Sequence, residues 1–351
     1  MLIIIFVVML SLMVVSLFSE NLPKKYHSYL LWFYIAVFLV VSITRPTSYV
    51  SDYKNYENYF YSFDDKIIQL TVEQSFLLIA EFVYRHGGTM HTMIWIFALI
   101  SIPLKLYSVR KMTDGTCFLL SLLVYASNYF QLHDCEQIRL AAGMAFGMYA
   151  IYLRVERKSG WMICALMLIA IAFHHTMGAM IIPLIMCPRD LSARWKKVLV
   201  AIVPVSILLW ALHINIITSL PIPYIEQKLK IYELAIANGQ HMEVRVINIM
   251  VLFRIVLFYY ILYYYDVIKP HVKALPMMVL CDCFSLGTWF VLSEMSVIAV
   301  RISQLFGFME IILFACVYYT LRPAWFGKLV VMLIAVYFFA QNYAYNQFGF
   351  R

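Results

Sequence analysis

At 351 residues, 64% hydrophobic and only 13% charged, with mean hydropathy +0.81, the chain holds more apolar surface than a soluble domain can hide. Its apolar runs are continuous rather than alternating in period two, which disfavours a β-barrel and points to an all-α polytopic membrane protein. The formal net charge of +8 would suggest nucleic acid in a soluble protein, but its distribution between the apolar runs reads as membrane orientation and needs no nucleic-acid partner.

Residues 2–18 are apolar, without a basic flank before them or a small-residue cleavage site after them, and read as a retained first span. Runs near 28–45, 90–107, 117–133, 136–153 and 160–173 predict further spans. So do runs near 175–187, 198–215, 245–265, 275–292, 300–320 and 327–343. About twelve membrane helices result (range about 10–12), with 175–187 short enough to re-enter rather than cross. Lys24 and Lys25; Lys105, Arg110 and Lys111; and Arg154, Arg157 and Lys158 fall in alternate connections. Arg189, Arg194, Lys196 and Lys197; Lys269 and Lys273; and Arg322 and Lys328 continue that pattern. This puts 16 of the 27 Lys and Arg residues on one side, predicting cytoplasmic loops there and both termini on the extracytoplasmic side.

The chain reads as a single integral membrane domain, 1–351, with two long outer loops. The first, about 46–88, opens with the tyrosine-rich run from Tyr49 to Tyr61. An amphipathic segment follows over 71–86, with Glu73, Glu81 and Arg85 on one face. Val72, Phe76, Leu77, Ile79, Ala80 and Val83 are on the other, as in a helix lying in the membrane interface. The second outer loop, about 216–243, starts at Pro221 and carries Glu226, Lys228, Lys230 and Glu233. The seven cysteines fall almost entirely in apolar runs and read as small hydrophobes.

Several polar groups interrupt the apolar pattern. Arg139, at the outer end of the span 136–153, either pairs with Glu136 at (i, i+3) or serves as a planar clamp for phosphate oxygens. Below it, Gly143 and Gly147 form a small face that admits a neighbouring helix. His174 and His175 break the run 163–186 and are either interfacial histidines or a proton shuttle facing a cavity. Arg301 begins a late span, with Glu310 deeper in it and Asp282 in the span before. Both carboxylates need a partner, and Arg254 is available for an interhelical bridge. Asp52, Glu57 and Glu73 stand among tyrosines, either in an ordinary aromatic belt or in a groove where rings cover sugar faces and carboxylates hold hydroxyls. No glycine-rich phosphate loop, HExxH, CxxC pair or Asp-x-Asp sequence occurs, and Cys281-Asp282-Cys283 is wrongly spaced for zinc. Those signals point away from a nucleotide-driven pump, a zinc protease and a metal-dependent sugar-nucleotide transferase.

Taken in order, five pieces resemble the EpsG-like, Wzy-type family of bacterial polysaccharide polymerases. They are Ser51-Asp52-Tyr53 with Tyr56; Glu73 with Phe76; and Gln137-Ile138-Arg139-Leu140-Ala141 leading to Arg154, Arg157 and Lys158. Phe173-His174-His175-Thr176 running to Pro183 and Arg301-Ile302-Ser303-Gln304-Leu305-Phe306 complete the set. The chain departs from the family pattern where a second histidine follows His174 and Thr176-Met177 replaces small residues. The resemblance implies a glycosyltransferase of the bacterial inner membrane that needs no cofactor and no metal. It would polymerise polyprenyl-diphosphate-linked oligosaccharide repeat units on the outer face, donor and acceptor both lipid-linked, alongside a flippase and a chain-length regulator. It implies catalytic roles for Arg139, His174, Arg301, Asp52 and Glu73. Tyr53, Tyr56, His175, Arg254, Glu310 and Gln137 would bind substrate. The alternatives are a transporter or flippase for a lipid-linked or anionic solute, and a membrane acyltransferase acting on polysaccharide.

Overall fold

A computed structural model describes residues 1–46, 52–214 and 245–348, and among these the secondary structure is entirely helical. The expected outer loop 216–243 lies outside the described residues, as do Tyr49, Val50 and Ser51. The helices are α1 (Leu2–Phe18), α2 (Lys24–Ile43), α3 (Tyr53–Tyr61), α4 (Lys66–Thr71), α5 (Gln74–Arg85) and α6 (Met90–Met112). They continue with α7 (Gly115–Val124), α8 (Ile138–Val155), α9 (Gly160–Phe173), α10 (Ile181–Met186) and α11 (Ala193–Ala211). After the undescribed stretch come α12 (Ile249–Tyr263), α13 (Tyr265–Ile268), α14 (Leu275–Val291), α15 (Ser296–Gly307), α16 (Glu310–Leu313) and α17 (Ala324–Phe348).

Among the described residues four helices are individually long and apolar enough to cross a membrane: Lys25–Ile43, Met90–Met112, Ile138–Val155 and Ala324–Asn342. A fifth candidate is the pair Ile298–Gly307 and Glu310–Thr320, bent by 49°. Five shorter apolar helices accompany them, among them Gly160–Phe173 and Leu275–Val291. The protein is therefore a multi-pass membrane protein in which many segments are broken or short, and fewer full-length spans stand out than the apolar runs suggested. The exposed residues on its flanks are those a hydrocarbon environment would cover, such as Ile3, Trp32, Leu168 and Ile185.

One break comes where the chain changes helix type. A π-helical stretch, Tyr125–Glu136, replaces the second half of the expected span 117–133. Such i→i+5 geometry survives only where tertiary contacts compensate its poorer packing, and here a buried polar knot does so. Lys105 Nζ reaches Asp134 Oδ2 at 2.6 Å, with the two side chains 2% and 0% exposed. Tyr125 donates to the same oxygen at 2.7 Å, Ser101 donates to Oδ1, and Ser42 donates to the Asp134 carbonyl at 2.9 Å. Lys105 is thus no loop residue: it lies inside α6, and its removal from the basic tally of that loop is a correction to the orientation reading. Lys328 is likewise buried, 3% exposed, and pairs with Glu20 at 3.0 Å.

α8 lies between α6 and α9. The Gly143 and Gly147 face makes that possible: a Cβ on Gly143 would stand 2.9 Å from Met177 Cγ and 3.1 Å from the Ala170 carbonyl. Helices α3 and α5, in the stretch expected to form the first outer loop, mount on the same trio through a secondary core of Tyr56, Phe60, Phe76, Phe97, Ile138 and Phe173. The apolar face of α5 expected to meet lipid is instead covered by protein, with Phe76 and Ala80 fully buried. Nor do the three charges share one face. Glu81 and Arg85 pair with each other in solvent at 2.6 Å, while Glu73, 6% exposed, turns inward.

Candidate functional site

Three segments distant in sequence meet at the top of α8. Glu73 occupies the N-cap position of α5 with extended backbone, yet its carboxylate caps none of the helix amides. It is aimed across the secondary core at Arg139, on the first turn of α8, and the two form a close ion pair with side chains 7% and 16% exposed. The expected partner Glu136 is displaced because the π-helix and the non-helical Gln137 (φ −96°, ψ 59°) break the α-helical spacing between positions 136 and 139. The Arg139 guanidinium lies 5.4, 5.5 and 5.8 Å from the ring centroids of Tyr56, Tyr59 and Phe76. That aromatic cage holds the charge out of water while leaving it attractive to anions. Burial pushes the Tyr56 phenol up to about 12, its first cause being desolvation, so the ring stands neutral beside the guanidinium.

The third segment is the end of α9. His174 leaves helical geometry (φ −157°, ψ 117°), and this break swings its imidazole toward α5. His174 Nε2 stands 4.0 Å from Glu73 Oε1, and Nδ1 is within hydrogen-bonding distance of Thr176 Oγ1 at 2.7 Å. A second tie locks the two elements: Ser75 Oγ donates to the Ala172 carbonyl at 2.5 Å. Phe173 stacks on Phe146 with centroids 5.7 Å apart, fixing the break against α8. Of the adjacent histidines, His174 is buried and His175 is exposed.

Arg301, on α15, is exposed and close enough to His174 and Tyr56 to act on both electrostatically. Gln137 donates to Gln304 at 3.4 Å, linking the start of α8 to the helix that carries Arg301. Two buried polar atoms here, Arg139 Nε and Gln137 Oε1, have no hydrogen-bond partner among the described residues. Unused capacity of that kind, beside a caged guanidinium and an imidazole–carboxylate pair, suits an oxyanion or a sugar hydroxyl. Asp52 and Tyr53 are half-buried at the rim, Asp52 in electrostatic range of Tyr56 and Glu136 but not bonded to Arg139.

Arg254 and Glu310 do not join this group. They form a separate buried centre, where Arg254 Nε reaches Glu310 Oε1 at 3.0 Å, its Nη2 donates to Ser285 Oγ at 2.6 Å, and Tyr129 donates to Glu310. Asp282 is fully buried beside them. Glycine at 307 leaves room for this centre: a Cβ would fall 2.9 Å from Ser285 Oγ and 3.1 Å from Arg254 Nη2, so these side chains would have to shift. The knot on Asp134 was not anticipated as a centre. Its signal was available in Lys105 inside the run 90–107 and Asp134 at the join of two runs, but a lysine near a predicted helix end reads as a loop cation.

Among the described residues no group of three or more His, Cys, Asp or Glu side chains is placed to hold a metal ion. No curated protein and no solved structure matches the chain. The EpsG family model, by contrast, matches residues 29–350, nearly the whole chain, which includes all the residues that meet around Arg139, so the protein belongs to the EpsG family.

Proposed function

We propose that this protein is a membrane glycosyltransferase that polymerises polyprenyl-diphosphate-linked oligosaccharide repeat units in surface polysaccharide synthesis. The observation that carries the reading is the convergence of Arg139, Glu73 and His174, from three separate segments, with Arg301 within electrostatic range. In the reaction the acceptor sugar hydroxyl attacks the donor's anomeric carbon, the bond from that carbon to the diphosphate oxygen breaks, and the hydroxyl proton passes to a base. Negative charge grows on the departing diphosphate, so pre-set guanidinium groups lower the barrier. Arg139 is held by its cage, while exposed Arg301 can follow the leaving group. His174 is the favoured base because its ring is placed by Thr176 and oriented toward Glu73, with Glu73 and Asp52 as further carboxylates at hand. No step assigned to these residues calls for a metal.

The distribution of basic loops supports placing this cluster at the extracytoplasmic face of a bacterial cytoplasmic membrane, with both termini on that side and about twelve membrane segments, some of them short. The tyrosine-bearing α3 is suited to hold sugars over the cluster. The test replaces Arg139, Arg301 and His174 singly by alanine, verifies insertion, and scores polymer length on gels. Wild-type lengths in all three would remove the assignment.

A transporter for an anionic, lipid-linked solute is the second reading, and one observation favours it. Two helices are broken, at His174 and between Gly307 and Glu310, and the segment after the first break packs on α15. Discontinuous helices in contact are a common way to build a solute site. Polymer formed by purified protein from lipid-linked repeats, with no compartment to cross, separates the two.

A further inference from the structure

A cavity of about 1020 Å³ lies far from the cluster around Arg139. Its rim includes Arg154, fifteen residues along α8 from Arg139, hence about 22 Å away at 1.5 Å per residue. The walls are apolar: Ile163, Met167, Leu168 and Ile171 of α9 face Leu184 and Ile185 of α10. Leu168 is 69% exposed and Ile185 73%, so the cleft opens sideways through the flank that hydrocarbon would cover. Around its mouth stand six cations, Arg154, Arg157, Lys158, Arg189, Lys269 and Lys273. Two carboxylates partly offset them. Glu156 pairs with Lys273 at 3.1 Å, and Asp190 lies in range of Lys269. Four positive charges are left over at the edge of an apolar slot.

The backbone adds an independent sign. Arg157 follows the end of α8 with φ of 54°, and the amide of Lys158 closes back on the Leu153 carbonyl at 2.9 Å. This left-handed position at a helix end is normally glycine, and a β-carbon there is strained. At the mouth of the cleft a long cation thus occupies a position where glycine would fold more easily. Arg154 is fixed as well, its Nε donating to the Leu184 carbonyl at 2.9 Å across the slot.

We propose that this cleft binds a phospholipid of the bilayer with an anionic headgroup, the phosphate at the cationic rim and an acyl chain along α9. A slot of mixed character needs a ligand that is both anionic and apolar, and membrane lipids reach it directly from the side. The lining holds two thiols, Cys164 and Cys187, but no histidine or carboxylate to serve them as a base, so it is built to hold a lipid rather than to transform one. This separates it from the cluster at Arg139, and the inference stands whatever reaction that cluster performs.

The test is native mass spectrometry of the full-length protein in a zwitterionic detergent, offered phosphatidylglycerol and phosphatidylcholine in equal amounts. Phosphatidylglycerol should be retained at least about tenfold better, and each rim cation removed should weaken it about fivefold. The combined Arg157→Gln, Lys158→Gln and Arg189→Gln variant should therefore lose on the order of 100-fold. Arg157→Gly adds a control for folding: relief of the strained φ should leave heat resistance in phosphatidylcholine at least as high as wild type, while phosphatidylglycerol retention falls about fivefold. Equal retention of the two lipids, or full retention by the triple variant, overturns the proposal. So does displacement of phosphatidylglycerol by inorganic phosphate alone, which would make the rim a simple anion site. Preferential retention of a polyprenyl diphosphate over phosphatidylglycerol would overturn it too, by giving the cleft to a substrate lipid.

Discussion

Neutralising the Arg139–Glu73 pair as a unit should separate a structural role from a functional one. Both side chains are largely desolvated, 16% and 7% exposed, so removing either alone strands a charge. Breaking a buried pair from one side typically costs about 3–5 kcal/mol, whereas replacing both partners with apolar groups of similar size is often neutral or stabilising. The two single changes are not equivalent. Glu73→Gln leaves the guanidinium over the rings of Tyr56, Tyr59 and Phe76, and each such contact is worth about 0.5–1 kcal/mol, so part of the penalty is recovered. Arg139→Ala deletes those contacts as well as the ion pair and is expected to be the worse of the two. Arg139→Met with Glu73→Leu should regain most of the folded fraction, giving a coupling of about 3 kcal/mol or more in a thermal double-mutant cycle in detergent. The same proteins are then assayed for polymer length in membranes. If the pair serves the reaction, the stable double variant makes no long polymer, and Arg139→Lys, which keeps the charge but loses the planar fork, is also poor. A stable double variant with wild-type polymer would refute it, reducing the pair to a fold element. Losses below about 1 kcal/mol for both single variants would show that the pair is solvated after all.

His174→Ala should abolish long polymer while His175→Ala shortens it less, since only His174 is buried against Glu73; equal effects on the gel would count against the assignment. Lys105→Met strands the Asp134 carboxylate with Tyr125 and Ser101 and should cost about 3–5 kcal/mol in thermal unfolding, largely recovered in Lys105→Met with Asp134→Leu. Gly143→Ala should cost about 1–3 kcal/mol and lower activity with it, because the new methyl meets the Ala170 carbonyl and Met177 and shifts α9, which carries His174, relative to Arg139. The Lys328 ammonium bonded to Glu20 holds that carboxyl below its ordinary 4.5. Its contribution is therefore present above pH 4.5 and fades as pH falls below that value, through the folded-state titration. Wild type should lose more heat resistance than Glu20→Gln on acidification through that window, by less than about 1 kcal/mol because Glu20 is half exposed.

The resemblance to the family was readable in short ordered pieces, because Arg139, His174 and Arg301 each interrupt or border an apolar run. A guanidinium or imidazole inside such a run is conspicuous without any structure, and Arg139, His174 and Arg301 were found that way. Glu73 was legible as a carboxylate near tyrosines, but its direction was not. Helical periodicity grouped it with Glu81 and Arg85, and that grouping failed because an N-cap residue lies outside the helix whose period was being read.

Composition and apolar patterning alone determined that the chain is a helical, multi-pass membrane protein, since no other solvent tolerates that much apolar surface. Partnership was decided only by the tertiary structure. Arg139 passed over Glu136, three residues away, for Glu73, because a π-helical stretch and a non-helical Gln137 rotate the nearer carboxylate off its face. Lys105 became a buried anchor instead of a loop charge, and of the two carboxylates for which the sequence offered Arg254 as a bridge, packing chose Glu310, away from Arg139. Sequence spacing specifies neighbours along a regular helix, but at breaks between helices a neighbour is whatever packing brings within reach.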